Sequence, residues 1–490
     1  MEKREAFGSR LGYILVSAGC AIGIGNVWKF PFLCGQYGGA AFILIYLIFL
    51  LIMGIPVMIC EFTMGRASKL SAAKAFEALE PSGTRWHWLK WISILGCWLL
   101  MMYYTTVAGW MMYYGVRHIR GDFVGQDPAT VAGGFTGMLG SAPTMLLWTV
   151  LVCILGFVIC YFGLQNGVER ISKFLMTALL ILMIVLAVHS VFLNGAGAGI
   201  KFYLVPNFKD MAAKGIGNVI FAAMSQAFFT LSIGIGAMLI FGSYIGEDRS
   251  LTGESVIVTA LDTAVALMAG FIIIPACFAY GIEPDAGPGL IFITIPNLFV
   301  GMPGGQFWGA LFFLFLTFAA MTTVVAVLEN LVAYDMDLFG WTRKKSVLVS
   351  AVLLIVLSVP CVLGYNLWSG IQLIGEGSTV LDFEDFLVSN NLLPLGSLAF
   401  VLFISRKNGW GWNNFIAEAN KGKGMKFPNA LKNYIAYVLP LIIIVIYLKG
   451  YYDMFHEKPV GLMIGWFIFA LLLLGFIFYV ALYRPSKKEA

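Results

Sequence analysis

The chain reads as an all-α integral membrane protein of 12 transmembrane helices, a five-plus-five inverted repeat in which helices 1 and 6 are broken. Three observations carry that reading. Of the 490 residues, 60% are hydrophobic and only 12% are charged, about half the charged share of a soluble domain. Runs nearly free of charge, such as 41–59, 174–193, 348–364, 433–448 and 460–482, approach or exceed the roughly 20 residues that cross a bilayer core. The tetrapeptide Ile-Gly-Ile-Gly occurs at 22–25 and again at 233–236, each time inside a run long enough to span. Paired interruptions of this kind in two halves of a chain point to a binding site near the bilayer midplane.

Spans are expected at about 11–33, 40–62, 89–114, 145–162, 168–193, 216–245, 255–279, 305–334, 346–367, 386–405, 432–449 and 460–483. The first five (11–193) and the next five (216–405) make the two halves, each opening on an Ile-Gly-Ile-Gly span. The last two lie outside the repeat. Residues 1–483 are thus one transmembrane domain and 484–490 a cytoplasmic tail. With the N-terminus inside, 23 of the 31 Lys and Arg fall on the cytoplasmic side, as the positive-inside rule requires. Both termini are then cytoplasmic, and no cleavable leader is expected, because the first apolar run has full length and no small-residue cleavage site behind it. The net charge of +5 follows from this bias and calls for no nucleic acid. Residues 115–144 and 281–304 read as outer loops, the second with a short re-entrant or surface hairpin at Gly289–Ile295.

Catalysis has little to stand on. The eight Cys form no CxxC pair and the four His (87, 118, 189, 456) have no ligand partners near them in sequence, so neither a disulfide framework, a metal triad nor a catalytic dyad is visible. The chain is not expected to be an enzyme. Polar residues gather instead around the breaks: Asn26 beside the first, Gln226, Thr230 and Ser232 beside the second, Asp262 in span seven, and Thr322 and Thr323 in span eight. All offer oxygen, which suits a small hard cation such as sodium. An intramembrane Asp is costly and marks a functional site. Glu61, at the end of span two, is placed to hold freed backbone N–H groups. Gly19 and Gly23 also form a GxxxG pair, which by itself would signal only close helix packing.

The stretch Arg10-Leu11-Gly12-Tyr13 leading into Ala18-Gly19-Cys20-Ala21-Ile22-Gly23-Ile24-Gly25-Asn26-Val27-Trp28-Lys29-Phe30-Pro31, then Gly38-Gly39-Ala40-Ala41-Phe42, Gly54-Ile55-Pro56 and Gln226-Ala227-Phe228-Phe229-Thr230-Leu231-Ser232, resembles the neurotransmitter:sodium symporter family, most closely its bacterial amino acid members. The resemblance runs from residue 4 to about 483. It implies sodium-coupled symport of a neutral, hydrophobic L-amino acid by alternating access in the bacterial plasma membrane. It implies two sodium ions. The first would meet the Ala21 carbonyl, Asn26, Thr230, Asp262 and the substrate carboxylate; the second would meet the carbonyls of Gly19, Ile22 and Ala319 with Thr322 and Thr323. The substrate carboxylate is expected near the N–H groups of Gly23 and Gly25 and the Tyr104 hydroxyl. Its ammonium should lie near Phe229, Thr230 and Ser232, and its side chain among Leu100, Val107, Phe229, Ile235, Thr323 and Val327. Tyr104 and Phe229 would form the lid, Lys29 with Asp385 the outer gate, and Arg4 with Asp337 and Tyr244 the inner gate.

Two departures from the family pattern have consequences. Lys29 stands where the family carries an arginine, and keeps the charge without the bidentate fork. Asp262 stands where one bacterial amino acid member carries an asparagine sodium ligand, while Ala266 replaces that member's later carboxylate, so one negative charge has moved by about a helical turn. Asp262 can supply the charge that chloride supplies in other members, and no chloride requirement is expected. A carboxylate that has released its cation is also a candidate proton carrier on the return step. The alternative reading is an amino acid sensor or binding protein of the same fold that does not transport. Monomer and homodimer both stay open.

Overall fold

The computed structural model describes residues 5–281 and 289–483, and its regular structure is helical. Ten helices are long and apolar enough to cross a bilayer, and an eleventh span forms if one bent pair is counted together. That pair, Arg10–Ala21 (α1) and Gly25–Gln36 (α2), bends by 56°. Ala40–Ser68 (α3), Trp86–Arg120 (α4), Ala142–Tyr161 (α5) and Leu164–Val191 (α6) follow. Ile216–Thr230 (α7) and the short Ala237–Ser243 (α8) flank a turn at 231–236. Next come Leu251–Ala279 (α9), the short apolar Leu290–Val300 (α10), Gly305–Phe339 (α11), Arg343–Leu363 (α12), Val380–Ser405 (α13), Asn429–Phe455 (α14) and Val460–Leu482 (α15). The protein is embedded in a membrane by these helices.

Five prolines explain much of the irregularity. Pro31, Pro56, Pro296, Pro394 and Pro440 lie inside α2, α3, α10, α13 and α14. A proline has no N–H to give, and its ring crowds the carbonyl four residues back. At each one the helix widens by one residue just before the ring. Phe30 N–H donates to Gly25, Ile55 to Leu50, Ile295 to Leu290, Leu393 to Val388 and Leu439 to Tyr434, every bond reaching five residues back. These π turns change which side chains share a face, which is why they recur at functional sites.

Burial sorts the spans. Over the 18-residue apolar stretch of each, α11 is 83% buried and α15 only 11%, so α11 is the core helix and α15 lies at the periphery. α11 runs along α4, and α1 packs against both α9 and α11. α8 packs backbone to backbone on α3: a Cβ added at Gly65 would land on the Leu239 carbonyl, and one at Gly242 on the Phe62 carbonyl.

The turn between α7 and α8 holds three left-handed residues, Ser232 (φ 50°), Gly234 (φ 99°) and Gly236 (φ 72°). Glycine adopts that conformation without strain. Ser232 bears the cost, and its hydroxyl donates to the Cys20 carbonyl at 3.2 Å, tying the second break to the first. The Gly234 N–H donates to the buried Glu61 carboxylate, the clamp expected from the sequence.

The helices outrun the apolar runs. α13 begins at Val380 rather than 386, because backbone hydrogen bonding continues through Asp382, Glu384 and Asp385. Within the expected outer loop 115–144, α4 continues to Arg120 and a separate helix forms at Pro128–Gly140. Its cap is Asp127, whose carboxylate accepts the Thr130 N–H at 3.0 Å. Of the second loop, Pro284 and Pro288 lie outside the described residues; the apolar stretch after them is the short helix α10.

Candidate sodium and substrate site

The break between α1 and α2 exposes backbone in both directions. Ile22 is extended (φ −69°, ψ 107°), so carbonyls near the end of α1 lose their helical donors. The Thr323 hydroxyl donates to Ile22 O at 2.9 Å and Gly19 O at 3.3 Å. The Thr322 hydroxyl reaches Ala319 O at 2.8 Å and Ile22 O at 3.3 Å. The five groups named for the second ion are therefore brought together, all oxygen and all buried.

On the other side of the break, Asn26, Thr230 and Asp262 converge. The Asn26 Nδ2 donates to Asp262 Oδ1 (2.8 Å), Thr230 Oγ1 (3.0 Å) and the Asp262 carbonyl (3.2 Å). The Thr230 hydroxyl donates to Asp262 Oδ2 at 3.0 Å. Asn26 Oδ1 accepts the Gly23 N–H at 3.0 Å. Asp262 is fully buried, and these hydrogen-bond partners are neutral. A buried carboxylate without a cationic partner is a strong attractor for a cation. Three oxygens, the Thr230 hydroxyl, Asp262 Oδ1 and the Asp262 carbonyl, thus surround the Asn26 amide nitrogen.

Beside this cluster lies a small cavity of about 20 Å³, lined by Ala21, Gly23, Gly25, Leu100, Tyr104, Phe229, Ser232, Ile235, Thr323, Val388 and Leu393. It has room for little more than one water, so its walls must move apart to admit anything larger. The Tyr104 hydroxyl accepts the Ile24 N–H at 3.0 Å. A Cβ on Gly23 would strike the Tyr104 and Thr323 oxygens. A second cavity of about 340 Å³ contains Lys29, Ser389, Asn390 and Asp453 in its lining. Phe229 and Leu393 line both cavities and so form the partition between them.

Not every expected residue takes its place. Val107 and Val327 are buried but do not line the small cavity, and Thr230 sits with Asn26 and Asp262. Val388 and Leu393 of α13 line it instead. No ion pair joins Lys29 to Asp385. The Lys29 ammonium rests 4.0 Å over the Phe229 ring, while Asp385 accepts from Tyr103 (2.9 Å) and Ser389 (2.7 Å). Arg4 lies outside the described residues. Asp337 accepts the Ser71 N–H at 2.7 Å, and the Tyr244 hydroxyl donates to Glu329 at 3.0 Å. Glu329 is buried in α11 and binds Arg343 through two bonds of 2.7 and 2.9 Å, while Arg343 also reaches Glu5 at 3.1 Å. The sequence signal for Glu329 was a charge inside an apolar helix, the same signal that singled out Asp262.

Comparison with known proteins decides the family. The profile described as the sodium:neurotransmitter symporter family matches residues 4–124 and 138–484. The chain belongs to the sodium:neurotransmitter symporter family. It is 32% identical to the sodium-dependent transporter YhdH of Bacillus subtilis, over 91% of this chain and 98% of that one. A sodium-dependent transporter of Haemophilus influenzae is 31% identical over 92% and 98%. A solved structure described as MhsT in complex with L-phenylalanine superposes with a TM-score of 0.81 at 36% identity, covering 91% of this chain and 99% of that one. The symporter is accordingly a sodium-dependent carrier and not an enzyme, and its long apolar helices are the spans of a family-type membrane fold.

Proposed function

We propose that the symporter carries a neutral, hydrophobic L-amino acid into the cell with two sodium ions, by alternating access and without chloride. The observation that carries this reading is Asp262, a fully buried carboxylate held by the neutral partners Asn26 and Thr230 beside a cavity with apolar walls. The first sodium would lie among Asn26, Thr230, Asp262 and the Ala21 carbonyl, the second among Gly19, Ile22, Ala319, Thr322 and Thr323. The substrate would occupy the small cavity once it opens, its carboxylate toward Gly23, Gly25 and Tyr104. Sodium offsets the cost of burying that carboxylate, and the carboxylate completes the ion's shell, so each ligand tightens the other.

In this reading the turn at 231–236 makes α7 and α8 one broken span. Counted with the α1–α2 pair it gives 12 spans in two inverted halves within a single domain, with both termini cytoplasmic in a bacterial plasma membrane. The larger cavity is then the outer vestibule. Phe229 and Leu393 are its floor, with Tyr104 in the small cavity beneath, and Lys29 with Asp385 would approach one another as it closes. The inner closure would combine Asp337 and Tyr244 with Arg4, and the Glu329–Arg343–Glu5 chain beside them.

Sodium-driven uptake of a pool of radiolabelled amino acids into proteoliposomes is the direct test. Uptake that needs an inward sodium gradient, and that persists when gluconate replaces chloride, is expected. Loss of most uptake in gluconate would overturn the chloride-independent assignment, and binding without uptake would make the protein a sensor. Tyr104→Phe leaves the Ile24 N–H without an acceptor and removes a donor to the substrate carboxylate. It should weaken substrate binding about tenfold, as read by competition binding in sodium.

A further inference from the structure

Val388 and Leu393 line the small cavity together with Leu100, Ile235 and Phe229, yet they are five residues apart. In an α-helix, positions five apart point about 140° away from one another and cannot share a wall. Here Phe386–Leu392 is π-helical, and the Leu393 N–H donates to the Val388 carbonyl. Residues five apart are then one turn apart and lie on the same face. The cause is Pro394, which has no N–H and crowds the carbonyl four residues before it.

The wide turn is also held from inside. The buried Asn391 donates to the Phe386 carbonyl at 3.1 Å, and its oxygen accepts from Tyr447 (3.2 Å) and from Tyr451, both on α14. The distorted stretch of α13 is therefore a supported shape. Its last turn also meets the second break, since a Cβ on Gly234 would strike the Leu393 carbonyl. Leu393 thus touches the break, the small cavity and the outer cavity together.

We infer that the proline-induced π turn of α13 is the selectivity wall of the substrate site, with Val388 and Leu393 setting the largest side chain the cavity accepts. Asn391 is the positioning residue that keeps the turn in register. The inference rests on the amino acid reading of the site. Trimming the wall should favour long and aromatic substrates over short aliphatic ones, and enlarging it should do the reverse. A methylene-sized change in an apolar pocket alters discrimination by roughly 10–200-fold.

The test is competition binding in sodium, with valine, leucine, phenylalanine and tryptophan each displacing one labelled amino acid. Val388→Ala and Leu393→Ala should raise the phenylalanine-to-valine affinity ratio about tenfold, and Val388→Leu should lower it. Pro394→Ala, which lets the helix return to α register, should move the same ratio. Leu441→Ala, on an exposed part of α14, should leave it alone. A ratio unchanged within about twofold in both alanine variants, or one moved equally by Leu441→Ala, overturns the inference. Failure of the underlying reading looks different: the unmodified protein would then bind none of the four amino acids in a sodium-dependent way.

Discussion

Asp262→Asn is expected to abolish the effect of sodium on substrate binding while leaving the sodium-free protein at least as stable as before. The two halves of that expectation share one cause. Asp262 is fully buried, and its carboxylate is satisfied by the Asn26 amide and the Thr230 hydroxyl. Without a cation such a charge is costly to bury, and an isosteric amide relieves the cost. With a cation the same charge supplies the strongest oxygen of the shell. Losing it should cost on the order of 3 kcal/mol, roughly a hundredfold in apparent sodium affinity. Reciprocity then requires substrate affinity in sodium to fall toward its sodium-free value. Thermal unfolding in sodium against potassium reads the first half, and substrate titration in the two salts reads the second. A variant that kept the full sodium-induced stabilisation would remove Asp262 from the ion site.

Gly234→Ala should be the most damaging single-methyl change near the site. Gly234 sits at φ 99°, where an L side chain is strained, and a Cβ would be driven into the carbonyl of Leu393. Backbone on both sides leaves nothing flexible to yield. The left-handed strain and the collision together should cost about 3 kcal/mol or more. Gly396→Ala should reproduce the effect from the opposite face, because its Cβ would meet the Gly234 carbonyl. Both variants should lose thermal stability and substrate binding together. If Gly234→Ala unfolded at the temperature of the unmodified protein, the close approach of α13 to the second break would not persist in solution.

The contrast between these two positions shows what could be read in advance. Asp262 announced itself, because a carboxylate in an apolar run has few reasons to be there. Glu329 carries the same signal, and the basic residue that explains it, Arg343, lies in a different helix. Gly234 was legible as part of a break, but not its partner, since nothing in a sequence says that residue 234 will touch residue 393. The helix at Pro128–Gly140 was signalled by an Asp-Pro start and was hidden by a Gly-rich, only mildly apolar composition. The Lys29–Asp385 pair was expected from the family resemblance. In the structure the cation instead finds the face of Phe229, and the carboxylate finds two hydroxyl groups.

What the sequence determined by itself was everything that depends on local composition. Length and hydropathy marked most of the membrane spans, paired glycines marked the expected breaks, the charge bias gave an expected orientation, and the oxygen-rich residues gave an expected ion chemistry. What only the tertiary structure decided was which faces meet. A span's rotation about its own axis depends on hydrogen-bond register, and a proline such as Pro394 shifts that register by one residue. That shift brings Val388 and Leu393 together on the small cavity, and no count of apolar residues along α13 could have placed them there.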